Sequence, residues 1–170
     1  GNVLRDLIKT GMFPHIRLTE IYRQSDNSFI PILANEVKNM ELDYDIQDKK
    51  DDYNFIACDK ENIKDMIGMI IRKSVEKGIN EKGIQVLIPM YKGANGIDEV
   101  NKVLQNIFNP YNEKLDEVEI GPVTFRVGDK VINLVNNVEE NIFNGDIGYI
   151  SEINKSKPNE FMKIDFYGNK

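Results

Sequence analysis

Ile84-Gln85-Val86-Leu87-Ile88-Pro89-Met90-Tyr91-Lys92-Gly93-Ala94-Asn95-Gly96 runs from an apolar stretch into a turn of small and polar residues. Ile84 to Pro89 reads as a buried strand, and the helix after the turn carries Ile97, Val100, Leu104, Ile107 and Phe108 on one face. The same order recurs upstream. Phe55 to Cys58 reads as a buried strand, followed by an Asp59-capped helix with Ile63, Met66, Ile67, Ile70, Ile71 and Val75 inward, ended by Gly78. Before it, a strand at Ile16 to Leu18 leads to a helix capped by Ser28, with Pro31 in its first turn and an apolar stripe of Phe29, Leu33, Val37 and Met40. A short helix from Val3 to Lys9, closed by Gly11, precedes all of these. Three alternations of strand and helix predict an α/β fold with a parallel sheet covered by helices.

The alternation stops near Pro110. From Gly121 onward short β segments take over, at Phe125 to Val135, Ile147 to Ile153 and Phe161 to Phe166. Asn144-Gly145-Asp146 and Lys157-Pro158-Asn159 are turn signals, and Gly128-Asp129 marks a bend. Three such strands bury little alone and read as an incomplete small barrel. The period changes at about residues 110–122, which places the domain division between 1–118 and 119–170.

An apolar share of 41% with 29% charged residues is that of a globular protein, and no apolar run nears the roughly 20 residues a membrane helix needs. The start at Gly1 lacks the basic and apolar regions of a signal peptide and reads as internal to a longer protein. Cys58 is the only cysteine, which excludes an intrachain disulfide, suits the cytoplasm, and reads as a buried structural thiol. With His15 the only histidine, structural zinc sites and Ser-His-Asp chemistry lack partners, and no metal site is expected. The net charge of −6 argues against a general basic footprint, although a local one remains open. Many of the acids gather between Glu41 and Asp52, which reads as a solvated loop.

Three clusters could carry chemistry. Tyr22-Arg23-Gln24 lies just past the first strand, at the sheet edge where α/β proteins bind ligands. The Tyr22 ring suits a base and the Arg23 guanidinium suits a terminal phosphate; a surface turn with a structural arginine is the other reading. Tyr91, Lys92, Gly93 and Asn95 sit between a strand and a helix start, where free N–H groups and a cation suit phosphate. A turn that merely needs glycine explains the same residues. Arg126, Lys130 and Asn133 lie in the β region near the loop 136–146, either as a nucleic-acid contact or as a solvated barrel face. No G-x-x-x-x-G-K-[ST] phosphate loop occurs, nor an Asp-Glu pair ending an apolar strand. Any nucleotide site is therefore partial.

Five segments together resemble the RecD/TraA-type DNA helicases of superfamily 1: Gly1 to Ile8, Leu18 to Gln24, Pro89 to Ile97, Phe125 to Val131, and Asn141 to Gly148. They stand in the family's order and span nearly all of the chain. The resemblance implies a partial RecA-like (P-loop NTPase type) parallel sheet followed by a partial SH3-like barrel. Residues 1–118 would hold the end of the first motor domain and the first half of the second, and 119–170 an inserted barrel. It assigns Arg23 to the γ-phosphate, Tyr22 and Gln24 to the same nucleotide, and Tyr91, Lys92, Gly93 and Asn95 to the DNA backbone. The barrel, with Arg126 and Lys130, would lie beside a strand. ATP and Mg²⁺ belong to the full-length protein, with none expected on this piece, and single-stranded DNA is traversed 5′→3′. The other partners implied are the rest of the helicase chain and repair or recombination subunits. Without the phosphate loop, the Mg²⁺-binding acids and the later motifs, this piece should neither hydrolyse ATP nor unwind DNA. A non-enzymatic nucleic-acid-binding or adaptor module of α/β plus β-barrel type is the competing interpretation.

Overall fold

The computed structural model describes residues 2–16 and 28–166. The chain divides into two compact units at Ala57/Cys58.

In the first unit, helix α1 spans Val3–Lys9 and helix α2 spans Phe29–Asn39. Gly11 (φ +67°) follows α1 in the left-handed region that glycine tolerates. Ser28 caps α2 as its sequence predicts, its Oγ accepting from the Ile30 N–H at 3.2 Å. A second cap comes from further along the chain. Asp52 accepts the Ser28 hydroxyl on Oδ2 at 2.5 Å and the Phe29 N–H on Oδ1 at 3.2 Å. These bonds, the Ser28 hydroxyl first, hold the Asp52 carboxyl below its ordinary pKa. The acidic loop is thus partly structural. Lys50 pairs with Asp45 at 3.1 Å and lies 5.2 Å over the Phe29 ring, which in turn meets Tyr53 at 5.1 Å. Met40 does not join the apolar stripe: it ends α2 at φ 58° and is 90% exposed.

The second unit begins with a 3₁₀ turn at Lys60–Asn62 that runs into helix α3, Ile63–Glu76. Asp59 makes no side-chain cap bond, contrary to expectation. Gly78 ends α3 as expected, donating to Val75 O while Ile79 donates to Ser74 O, the paired bonds of a Schellman motif. A 3₁₀ turn at Glu81–Gly83 precedes helix α4, Ile97–Phe108. Helices α3 and α4 pack closely: Ile71 and Val100 are buried, and a Cβ on Gly68 would lie 3.1 Å from Val103 Cγ1.

Beyond α4 the chain forms a hairpin of β1 (Glu117–Ile120) and β2 (Val123–Arg126), then an antiparallel sheet of β3 (Lys130–Ile132), β4 (Ile147–Asn154) and β5 (Phe161–Phe166) in the order β3-β4-β5. The expected strand from Phe125 to Val135 is therefore broken at Gly128-Asp129, as the bend signal implied. β1 was not expected, because its acids Glu117 and Glu119 alternate with Val118 and Ile120 over too short a span. Ile150 and Ile153 fill the sheet's inner face. These two small antiparallel sheets suit an SH3-like β region.

No parallel pairing occurs among the described residues. Residues 55–58 and 84–89 form no strand, and the strand foreseen at Ile16 to Leu18 lies largely outside the described residues. The reason is physical: an extended segment becomes a strand only when a neighbour takes its N–H and C=O groups. Lacking one, Phe55 is 45% exposed, Leu87 is 85% exposed, and Cys58 is exposed rather than buried.

Candidate nucleic-acid interface

The turn between Pro89 and Ile97 is closed by its own backbone. Gly96 N–H donates to Gly93 O and Ile97 N–H to Met90 O, both at 2.9 Å. Gly93 has φ +98°, which favours glycine. Gly96 is required for space instead: a Cβ there would lie 2.5 Å from the Tyr91 carbonyl oxygen. The glycine geometry read from the sequence is thus present, and it leaves Tyr91 77% exposed with Lys92 exposed beside it.

Asn95 behaves differently. It is buried, its Oδ1 accepting the Lys64 N–H at 3.2 Å and its Nδ2 donating to Lys60 O at 2.6 Å. It caps the first turn of α3 from across the fold and holds the Tyr91–Gly96 turn against it. Nor is the start of α4 an open anion site. Asp98 and Glu99 occupy its first turn, and Glu99 pairs with Lys102 at 2.7 Å. That bond, together with the Lys102 charge, holds the Glu99 carboxyl below its ordinary pKa. The carboxylates already face the positive end of the helix dipole. The turn therefore offers a ligand one aromatic ring and one ammonium group.

Arg126 and Lys130 of the β region are engaged within the protein. Arg126 donates from Nε to Glu117 Oε2 at 2.8 Å and from a terminal nitrogen to Asn109 O at 3.2 Å, and its side chain is 12% exposed. Its guanidinium lies 5.8 Å from the Tyr111 ring centre. The Lys130 ammonium donates to Glu81 O at 2.8 Å and Ile84 O at 2.9 Å. Asn133 donates to Phe143 O at 3.1 Å across the β3–β4 loop.

Between these cations lies a residue that sequence reading passed over as a bend. Asp129 is 8% exposed. Its Oδ2 accepts from Gln105 Nε2 at 2.7 Å and from the Arg126 N–H at 2.8 Å, and its Oδ1 accepts from Asn109 Nδ2 at 2.7 Å. A buried carboxylate is tolerated only with such donors. The signal was present in Gln105 and Asn109, spaced i,i+4 and bordering the apolar face of α4, where polar side chains need a partner. Tyr22, Arg23 and Gln24 lie outside the described residues. Among the described residues no cluster of histidine, cysteine and acidic side chains could hold a metal ion, and no helix is long and apolar enough to cross a membrane.

Known proteins resolve what this arrangement belongs to. Residues 100–166, from within α4 through β5, match the family described as the ATP-dependent RecD-like DNA helicase SH3 domain. Across 156 residues, 92% of the chain, the sequence is 30% identical to the ATP-dependent RecD2 DNA helicase of Deinococcus radiodurans. The chain is similar to a piece of a RecD-type helicase. It spans about a fifth of that relative's length, 20%. The RecD-like match begins inside α4, the helix that the Asp129 bonds join to the β region.

Proposed function

We propose that this chain is part of the motor of an ATP-dependent DNA helicase that moves 5′→3′ on single-stranded DNA in repair or recombination. The observation that carries the proposal is the identity to a RecD2 helicase along 92% of the chain, which spans its helical and β parts alike. In this reading residues 1–118 belong to RecA-like motor domains whose parallel sheet is completed by chain outside the segment, and residues 119–170 to the inserted barrel. ATP and Mg²⁺ act in the full-length protein. The segment carries no G-x-x-x-x-G-K-[ST] phosphate loop, so by itself it is inactive in this reading.

Arg23 would reach the γ-phosphate and stabilise the charge that builds during phosphoryl transfer, with Tyr22 and Gln24 at the same nucleotide. On the DNA side, Tyr91 supplies a ring for a base, and Lys92 and the close backbone at Gly93 meet a phosphate. Asn95 serves this surface by holding its shape, while the polar groups of Arg126 and Lys130 are bonded within the protein away from it.

The test uses the full-length protein. Arg23→Ala should lower DNA-stimulated ATP hydrolysis by about 10³-fold with little change in DNA affinity. Lys92→Ala should weaken single-strand binding and reduce the slope of log affinity against log salt by about 0.7, the share of one phosphate contact. Unchanged turnover in the Arg23 variant would overturn the assignment.

A further inference from the structure

The β region grips both chain directions of the Tyr91–Gly96 turn through two adjacent residues. Lys130 binds the carbonyls of Glu81 and Ile84, at the start of the segment that enters the turn. Asp129 binds Gln105 on α4, the helix that leaves the turn at Gly96, and Asn109 at that helix's C-terminal cap. Further bonds close the joint. Gln105 Nε2 also donates to Thr124 O at 2.9 Å, and Asn109 Nδ2 to Val127 O at 3.1 Å. Lys82 sits 5.9 Å over the ring of Tyr149, which is the cross-strand partner of Lys130. Asp129 is itself seated in the sheet, its backbone O accepting the Ile150 N–H at 3.0 Å while Gly128 N–H donates to Ile150 O at 2.7 Å.

A small sheet joined to a helix only through the connection at residues 109–116 could pivot on it. These contacts remove that freedom, because ordered groups are held at several points on separate elements. We propose that Asp129 and Lys130 are positioning residues that join the barrel and the Tyr91–Gly96 turn into one body, so that the turn's displacement during ATP turnover is delivered to the barrel and to the strand beside it. This rests on the helicase reading above. Neither residue touches nucleotide or DNA in this scheme; both act through the turn and the barrel they connect.

The experiment is made on the full-length protein with Lys130→Met and Asp129→Asn, which keep side-chain size while removing the ammonium and the negative charge. Two quantities are read: ATP hydrolysed on single-stranded DNA, and base pairs unwound per ATP on a tailed duplex. The variants should retain single-strand-stimulated hydrolysis within about threefold and lose about tenfold in base pairs unwound per ATP, the scale of a broken coupling. Lys130→Arg, which keeps a cation able to reach both carbonyls, should recover most of the loss. Unwinding per ATP that is unchanged in both variants overturns the proposal. So does a parallel loss of hydrolysis and unwinding, which marks a merely structural role. A second measurement does not depend on activity. Spin labels at Lys92→Cys and Glu160→Cys, in a background where Cys58 and every other native cysteine of the full-length protein is serine, should give a narrow distance distribution that broadens on adding Lys130→Met. An unaltered width counts against the joint. Failure of the helicase reading shows elsewhere, as absence of DNA-stimulated hydrolysis in the unmodified protein.

Discussion

Asn95 shows how one side chain separates a turn's geometry from its ligand surface. The sequence groups it with Tyr91 and Lys92, yet its amide is buried and bonded on both sides, to Lys64 N and Lys60 O. What was legible at this site was the need for glycine at 93 and 96 and the presence of a cation. Which polar groups stay free was not, since Asn95 finds its partners 31 and 35 positions away along the chain. Asn95→Ala should lower stability by about 1 kcal/mol, the cost of losing a cap, as read from the urea midpoint. Its effect on DNA binding should exceed that of a surface lysine far from the turn, because the turn loosens. Stability equal to the unmodified protein would contradict the cap.

Helices α2 and α3 each gain part of their N-terminal capping from outside the helix. Local rules correctly found Ser28, Gly11 and Gly78, because those bonds close within a few residues. They missed Asp52 at the start of α2 and Asn95 at the start of α3. The Asp52 carboxyl has a pKa below the ordinary aspartate value of about 3.9, owing first to the Ser28 hydroxyl. A depressed carboxylate contributes stability that is complete above the unfolded-state pKa and lost as pH falls through the folded one. Amide exchange at Phe29 and Ile30, corrected for intrinsic rates, should therefore accelerate as pH falls below the ordinary aspartate value and through the depressed Asp52 pKa. Asp52→Asn should flatten that dependence. A pH profile shared by the variant and the unmodified protein would place the effect elsewhere.

Among the described residues burial is deepest in two places, the α3–α4 contact around Val100 and the β4 core around Ile150, both 1% exposed. Local stability follows burial and backbone bonding. The Val100 amide, bonded to Gly96 O, and the Ile150 amide, bonded to Asp129 O, should exchange slowest, whereas Leu87 at 85% exposure should exchange among the fastest. Native-state hydrogen exchange measures this directly. Leu87 protection equal to that of Ile150 would mean residues 84–89 have found a strand partner. The βα alternation was legible as an apolar period, but a parallel sheet is a property of several strands meeting. No such sheet forms among the described residues, whereas the antiparallel β region closes on neighbours near in sequence.

The sequence by itself determined the helices, the glycine ends of α1 and α3, the bend at Gly128-Asp129 and the Asn144-Gly145-Asp146 turn, where Gly145 has φ +98°. Each depends on torsional preference or on bonds reaching a few residues. Tertiary structure alone decided that Arg126 and Lys130 are spent on internal partners, that Asp129 is the buried joint of α4 with the β region, and that Tyr91 and Lys92 remain outward. A charged side chain bonds to whatever donor or acceptor the fold brings within about 3 Å, and those partners lie far away along the chain.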